Sequence, residues 1–221
     1  KTNMGKKPLS RKQVRSLRVN TQHHPLHSLL LNLSIDLMLR SSDLLSLKVK
    51  DVFSEQGEVR DTVIIPQKKT GKGTIGLPLS QNSRDAIFKH LSGREPEDHI
   101  FVGQMSRKTK KPITTQQYAR IIKGWMRKLE VEDVSRYSTH SMRKTKASVL
   151  FQEFKNVEAV RKLLGHRSVM ATSSYLGVED ANATELARSV EIRNESTYTV
   201  FLKPPIGYIG SWNRNQCIEG I

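Results

Sequence analysis

Residues 139–176 read THSMRKTKASVLFQEFKNVEAVRKLLGHRSVMATSSYL, and this stretch decides the fold. We predict three helices within it, over residues 139–152, 156–165 and 168–175. His140 and Arg143 stand at helical spacing, which places both side chains on one face of the first of these helices. Basic residues are interspersed with apolar ones along the stretch. This pattern is typical of a folded basic face rather than of a loose tail.

Capping residues and apolar periodicity predict the remaining helices. They cover residues 10–20, 26–40, 81–92, 114–129 and 181–191. Ser10 and Gln13 form a capping box at the start of the first helix. The Ser-Ser-Asp sequence at residues 41–43 offers an N-cap for a further short helix that carries three leucines.

Strands are predicted between the two groups of helices. The sequence DTVIIP at residues 61–66 and the segment 74–79 predict two strands, and residues 99–102 a third, short one. The Lys/Gly-rich stretch 67–73 joins the first two, and it lacks the Gly-Lys-Ser/Thr ending of a phosphate-binding loop. Helices, a small antiparallel sheet and more helices indicate an α+β domain that is mostly α.

The charge, the apolar content and the cysteine count limit the partners and the location that this chain can have. The formal net charge is +16, and it is concentrated in residues 1–20 (+7) and 103–167 (+11). This excess makes a polyanion, nucleic acid first, the expected partner. No apolar run approaches the roughly 20 residues of a membrane helix, so we expect no membrane association. The single cysteine, Cys217, excludes an internal disulfide and favours a reducing, cytoplasmic location.

A histidine cluster lies before the second predicted helix. His23, His24 and His27 could hold a metal ion, but no carboxylate lies nearby. We expect instead a loop that leads into a helix. No metal or other cofactor is predicted for this chain.

Four short segments carry the candidate chemistry. They are LRSSDL at residues 39–44, KKTG at 68–71, THSMR at 139–143, and LGH at 164–166 with SSYL at 173–176. Each segment alone is common. The ordered set is specific, because His166 follows Arg143 by 23 residues and precedes Tyr175 by nine. Over residues 8–190 it resembles the catalytic domain of the tyrosine recombinases, the phage integrase family.

The resemblance implies the fold of DNA breaking-rejoining enzymes and a metal- and ATP-independent enzyme. Such an enzyme cleaves and rejoins specific DNA sites through a 3′-phosphotyrosine. The implied catalytic residues are Arg40, Lys69, His140, Arg143, His166 and the nucleophile Tyr175. Lys68 and Lys72 also fit the hairpin lysine, and the Lys-Thr-Gly sequence favours Lys69. The family usually has Thr-Gly just before the first arginine, where this chain has Leu37-Met38.

These residue types suit the implied reaction. Two guanidiniums match the nonbridging oxygens of a phosphodiester and stabilise the charge of its transition state without a metal. A tyrosine, with an ordinary pKa of about 10, needs a proton acceptor, and a histidine can serve near neutral pH. A lysine can protonate the departing 5′ oxygen. Because the phosphotyrosine conserves the free energy of the ester, rejoining needs no ATP.

The basic region predicts contacts to double-stranded DNA. The candidate residues are Arg107, Lys108, Lys110, Lys111, Arg120, Lys123, Arg127, Lys144, Lys146 and Arg167. By resemblance, the productive species is a tetramer on DNA in which a C-terminal element packs on a neighbouring subunit. The apolar patch at residues 198–202 is the candidate element, and packing on its own domain is equally open.

We expect three parts in the chain. Residues 1–20 form a basic arm or the stub of a core-binding domain or linker, 21–191 the catalytic domain, and 192–221 a tail. The expected role is recombination or integration for a mobile genetic element or phage. A DNA-binding protein of the same fold without catalysis, or relaxation of DNA like that of a type IB topoisomerase, is the alternative.

Overall fold

The computed structural model describes residues 6–66, 74–103 and 110–177, and the backbone of 190–191 and 199–200. The chain divides into two compact units, Lys1–Leu176 and Gly177–Ile221. No helix among the described residues is both long enough and apolar enough to cross a membrane.

The first unit is mostly helical. Its described helices are α1 (Arg11–Thr21), α2 (Pro25–Leu37), α3 (Ser41–Leu45), α4 (Val49–Val52), α5 (Gln81–Leu91), α6 (Thr115–Lys128), α7 (Thr139–Phe154), α8 (Val157–Leu164) and α9 (Val169–Leu176), with a 3₁₀ turn at Val134–Arg136. Strands β1 (Thr62–Val63) and β2 (Leu77–Pro78) pair antiparallel. In this pair Thr62 is opposite Pro78 and Val63 is opposite Leu77. The predicted α+β class, mostly α, is confirmed.

Helix α2 is the centre of the core. It is apolar around most of its circumference, so it is buried from Ser28 to Leu37, and it packs against α1, α5 and α7. Val14 and Leu17 of α1 join the same core. The described part of the predicted N-terminal arm therefore packs into the first unit through a capped helix whose Ser10–Gln13 capping box is confirmed.

The junction between α2 and α3 differs from the prediction. Met38 adopts the left-handed conformation, with φ 48° and ψ 31°, and therefore ends α2 at Leu37 rather than at Arg40. Arg40 is extended and is itself the N-cap of α3, so the predicted Ser-Ser-Asp cap was wrong. The consequence is that Arg40 lies between two helices, on backbone fixed at both sides.

The strands are shorter than predicted. Each strand of the β1–β2 pair has only two residues, and the predicted strand at 99–102 is wrong. In its place, His99 bridges to Lys48 and Val102 bridges to Pro112. These bridges involve single residues of separate segments, so no continuous ladder forms. The predicted connecting stretch 67–73 lies outside the described residues.

In the second unit, the structure describes two short strands. Strand β3 (Val190–Glu191) pairs antiparallel with β4 (Thr199–Val200). The helix predicted to run to residue 191 was therefore wrong at its end, since the last two residues pair as a strand. Residues 181–189 lie outside the described part of the chain, as does the predicted patch at 198–202 except for β4.

Candidate active site

Helix α7 presents two of the candidate residues. Its N-cap Ser138 accepts a hydrogen bond from the backbone N–H of His140, at 3.2 Å. Arg143 follows one turn later and is buried, 5 % exposed. Its Nη2 donates to the carbonyl oxygen of Leu164 at 2.6 Å, which ties α7 to the end of α8. The predicted helical spacing of His140 and Arg143 is confirmed.

Arg40 and Arg143 line one small recess, together with Met38 and Asp43. Arg40 Nη1 lies 3.8 Å from Oδ2 of the buried Asp43. Burial, and less strongly the charge of Arg40, lower the pKa of Arg143 to about 10, so the guanidinium stays protonated at neutral pH. Within the part of the chain that the structure describes, the buried Nε of Arg143 has no hydrogen-bond acceptor.

A tight turn after α8 presents His166. Gly165 takes a left-handed conformation, φ 62°, which suits a residue without Cβ and ends the helix. Arg161 Nη1 donates to the carbonyl oxygen of His166 at 2.7 Å, and its Nε and Nη2 bind the Glu158 carboxylate at 2.7 and 2.6 Å. Burial, followed by the charges of Arg143 and Arg40, lowers the pKa of His166 to about 4.

Tyr175 lies on α9 against His166. The two rings meet edge to face, with centroids 5.3 Å apart. The tyrosine hydroxyl donates to the backbone carbonyl of His140 at 3.3 Å, and the Lys144 ammonium lies 5.6 Å from the centre of its ring. Burial raises the pKa of Tyr175 to about 12 against the opposing effect of Arg143.

The structure brings five of the six candidate catalytic residues into one cluster. Lys69 lies outside the described residues. Two supporting residues were not predicted, the buried Thr172 beside His166 and the Arg161 that holds the His166 turn. The spacing of Glu158 and Arg161, three residues apart on a helix, was a visible signal for their pairing.

The described DNA-contact candidates fall into two groups. Exposed members lie before α6, on α6 and after His166: Lys110, Lys111, Arg120, Lys123, Arg127 and Arg167. Lys144 and Lys146 are only partly exposed. The Lys146 ammonium lies 3.2 Å from the buried Asp36 carboxylate, which gives it a structural contact. Arg107 and Lys108 lie outside the described residues.

The histidines near the start of α2 form a helix cap. The chain turns into α2 as predicted, and His24 Nδ1 accepts from the backbone N–H of His27. His27 Nδ1 in turn accepts from Trp125 Nε1 at 3.3 Å. Burial and the neighbouring charges of His24 and Lys128 lower the pKa of His27 to about 4.

Comparison with known proteins agrees with this fold. The sequence profile of the phage integrase family matches residues 7–182, and the chain belongs to that family. It is 28 % identical over 146 residues to the probable integrase/recombinase YoeC of Bacillus subtilis. This match covers 66 % of this chain and 74 % of YoeC. It is 27 % identical over 183 residues to the tyrosine recombinase XerD of Oceanobacillus iheyensis, over 80 % of this chain and 58 % of that one.

The fold is also that of solved recombinases. The XerH site-specific recombinase bound to a palindromic difH substrate superposes with a TM-score of 0.64, at 18 % identity. The match covers 84 % of this chain and 53 % of XerH. This likeness identifies the fold of the first unit as that of a tyrosine recombinase catalytic domain.

Proposed function

We propose that this chain carries the catalytic centre of a site-specific DNA recombinase that works through a 3′-phosphotyrosine intermediate. One observation carries the proposal: the Tyr175 ring lies against the His166 ring, and the buried Arg143 is near enough to oppose the rise in the tyrosine pKa. A tyrosine beside a proton acceptor and a buried cation suits nucleophilic attack on a phosphodiester.

The two arginines of the recess hold the scissile phosphate. A guanidinium offers parallel N–H groups that match two nonbridging phosphate oxygens. The buried Arg143 Nε supports this assignment, because leaving such a donor without an acceptor costs about 1–3 kcal/mol. A bound phosphate oxygen removes that cost and meets a positive charge that water screens poorly.

In the cleavage step, the Tyr175 oxygen forms a bond to phosphorus and the bond to the 5′ oxygen breaks. A tyrosine hydroxyl is protonated at neutral pH even with its ordinary pKa of about 10, and burial raises the pKa of Tyr175 further, to about 12, so a base must accept the proton. Burial lowers the pKa of both site histidines, so His140 and His166 are neutral at that pH and one of them accepts the proton. Lys69 protonates the departing 5′ oxygen. Rejoining is the reverse reaction, with the 5′ hydroxyl of another strand attacking the phosphotyrosine.

The exposed cations around the cluster supply most of the affinity for DNA. Phosphate contacts from lysine and arginine fix position but carry little sequence information. The productive species is a tetramer on two DNA duplexes, with residues 198–202 as the element exchanged between subunits. Membership of the phage integrase family supports a role in a phage or mobile genetic element.

Covalent capture tests the proposal without knowledge of the target site. The full chain is incubated with a pool of nicked duplexes that share flanks and differ in a randomised central segment. After denaturation, DNA that remains attached to the protein is recovered and sequenced. We expect a covalent adduct with one enriched sequence, no adduct with Tyr175→Phe, and an undiminished adduct with the control Tyr137→Phe, which removes a hydroxyl from a different buried tyrosine.

Each contrary outcome has a defined meaning. Failure of the wild-type chain to form an adduct with any member of the pool, despite binding DNA, indicates a DNA-binding protein without catalysis. Adducts without sequence enrichment indicate relaxation like that of a type IB topoisomerase. An adduct formed by Tyr175→Phe would remove Tyr175 from the role of nucleophile.

A further inference from the structure

Lys144 is a partly exposed lysine beside the catalytic cluster, and its surroundings differ from those of its neighbour Lys146. Both lysines are on α7, and residues two apart on a helix do not share a face. The Lys146 ammonium pairs with the buried Asp36. Burial lowers the pKa of Lys144, and no charge in the described chain offsets this effect. Among the described residues, Lys144 is therefore a partly desolvated cation without a carboxylate partner.

The ring of Tyr175 lies next to this cation. The Lys144 ammonium is 5.6 Å from the ring centroid, within the distance of about 6 Å at which an aromatic face attracts a cation. The Tyr175 hydroxyl donates to the backbone carbonyl of His140 at 3.3 Å. His140 and Lys144 are four residues apart, so they are neighbours on one face of α7. The tyrosine is thus held along one helical turn, by its hydroxyl at one end and by its ring at the other.

We propose that Lys144 is a positioning residue that holds the Tyr175 ring in place for attack and stabilises the ring as its hydroxyl loses a proton. The inference rests on the proposed function, and it assigns Lys144 to the nucleophile rather than to a DNA phosphate. The proton passes to the base of the proposed cleavage step, so Lys144 neither gains nor loses one.

The attraction between Lys144 and the ring grows during the reaction. Loss of the hydroxyl proton raises the electron density of the ring, so the ammonium is held more strongly in the transition state than in the resting enzyme. An interaction that strengthens in this way accelerates the chemical step. Partial burial adds to the effect, because water screens a desolvated cation less than an exposed one.

Lys155, at the end of α7, provides a matched comparison. Its ammonium lies 5.8 Å from the centroid of the Phe151 ring, a geometry similar to that of Lys144 over Tyr175. Lys155 is exposed, and the phenylalanine ring has no proton to lose. The contact at Lys155 therefore has no means of affecting strand cleavage.

Lysine side-chain NMR of the full chain tests the contact without DNA. The current of an aromatic ring displaces the signals of protons above its face, and ¹³C-labelled lysine resolves the ε-methylene signals. The signal of Lys144 is identified by its loss in Lys144→Gln. We expect it upfield of the ordinary lysine position in the wild type and in Tyr175→Phe, which keeps the ring. In Tyr175→Leu, we expect it to return to the ordinary position.

Single-turnover cleavage of the captured DNA at saturating protein tests the consequence. We expect Lys144→Gln to form the adduct about tenfold more slowly than wild type, the effect of losing one partly desolvated contact between a cation and a ring. Lys144→Arg should recover most of the rate, because a guanidinium also stacks on an aromatic face. Lys155→Gln removes the same charge and the same kind of contact, and it should cleave at the wild-type rate.

The salt dependence of binding separates this role from a phosphate contact. It is measured in the Tyr175→Phe background, where no strand is cut. We expect Lys144→Gln to leave the slope of log affinity against log salt concentration unchanged there, whereas loss of one phosphate contact reduces it by about 0.9. A reduced slope would overturn the proposal, and so would an unchanged cleavage rate at saturating protein.

Failure of the proposed function has a different signature. If the wild-type chain forms no adduct, the proposed function fails, and NMR still decides whether Lys144 contacts the ring. An ε-methylene signal of Lys144 that does not respond to Tyr175→Leu would overturn the contact itself.

Discussion

Arg143 combines a buried charge with a donor that the described protein leaves unused. Lysine at this position keeps the charge but is a point donor without the planar geometry of a guanidinium. We expect Arg143→Lys to slow single-turnover cleavage of the captured DNA about a hundredfold or more, the effect of removing an electrostatic donor to a developing charge. The control is Arg11→Lys at an exposed ion pair with Glu153, which should cleave normally. Equal rates for wild type and Arg143→Lys would contradict the assignment.

Met38 has a backbone conformation that costs a residue with Cβ about 1–2 kcal/mol. Its side chain is 1 % exposed and packs in a cluster with Ala147, Val160 and Leu164. Met38→Ala should lower the free energy of unfolding by about 2–5 kcal/mol, because it leaves a cavity and keeps the strain. Met38→Gly leaves a slightly larger cavity without the strain, so we expect it to be about 1 kcal/mol more stable than Met38→Ala.

Urea unfolding of the two variants measures this difference. The control is the same pair of substitutions at the exposed Gln152 of α7, where glycine should be less stable than alanine by about 1 kcal/mol. The opposite sign at Met38 identifies backbone strain. If the glycine variant is less stable than the alanine variant at position 38 as well as at position 152, the left-handed conformation of Met38 carries no cost.

At this scale, spacing along the chain predicted that His140 and Arg143 share one helix face. The resemblance to the tyrosine recombinases, carried by the order of the four motifs, predicted that Arg40, His166 and Tyr175 lie with them. The supporting contacts were beyond prediction from the sequence. Thr172 reaches His166 only because Gly165 reverses the chain between α8 and α9. A left-handed methionine before Arg40 is likewise set by the packing of its side chain and not by local preference.

At the scale of the secondary-structure elements, Asp36 connects three helices. Its carboxylate on α2 accepts hydrogen bonds from the backbone N–H of Ser80 and the hydroxyl of Ser83, at the start of α5, and pairs with Lys146 on α7. Burial alone would raise the pKa of this carboxyl. The charge of Lys146 and the serine hydrogen bonds outweigh burial and lower the pKa below its ordinary value.

A lowered pKa in the folded state fixes how stability depends on pH. The unfolded chain then binds a proton more readily, so the contribution of Asp36 is complete above its unfolded pKa of about 4 and is lost as the pH falls through the folded value. We expect Asp36→Asn to cost about 3 kcal/mol of unfolding free energy at pH 7. Its difference from wild type should shrink below pH 4.

Chemical denaturation between pH 3 and pH 7 measures this dependence. Asp85→Asn, at an exposed carboxylate on α5, is the control and should change the unfolding free energy by less than about 0.5 kcal/mol. A constant difference between Asp36→Asn and wild type across this range would show that the carboxylate charge contributes nothing.

Elements with local signals were the predictable part of the fold. The capping boxes at Ser10 and Thr114 mark the starts of α1 and α6 within the described chain. The strands were predicted too long because their length depends on partners distant in sequence. His99 and Val102 pair with single residues of two different segments, a fact that no local pattern records.

For the whole molecule, the net charge follows directly from the sequence, but the sequence does not show where the charged side chains lie or which of them are paired. The net charge of +16 is known from composition alone. The structure divides the basic residues by their contacts: Lys146 pairs with Asp36, Arg161 holds the His166 turn, and Arg143 is buried. These cations stabilise or build the site. The proposed contacts with DNA phosphates fall to exposed cations such as Arg120, Lys123 and Arg127.

The exposed face of α6 is where this division can be measured. Arg120, Lys123 and Arg127 are exposed on the side opposite the buried Tyr118 and Ile122. Each phosphate contact adds about 0.9 to the slope of log affinity against log salt concentration. Replacing the three cations with glutamine should therefore make the slope for a short duplex less steep by about 2 to 3.

A matched control is provided by three cations outside the basic regions 1–20 and 103–167, namely Lys50, Arg84 and Lys89. Replacing these with glutamine removes the same net charge, so a slope that depends only on total charge would change equally in both triple variants. We expect the control slope to stay within about 0.5 of wild type, because these residues lie outside the proposed DNA surface. Fluorescence anisotropy of a labelled duplex over a series of salt concentrations measures both slopes. Equal changes in the two variants would remove α6 from the DNA-contact surface.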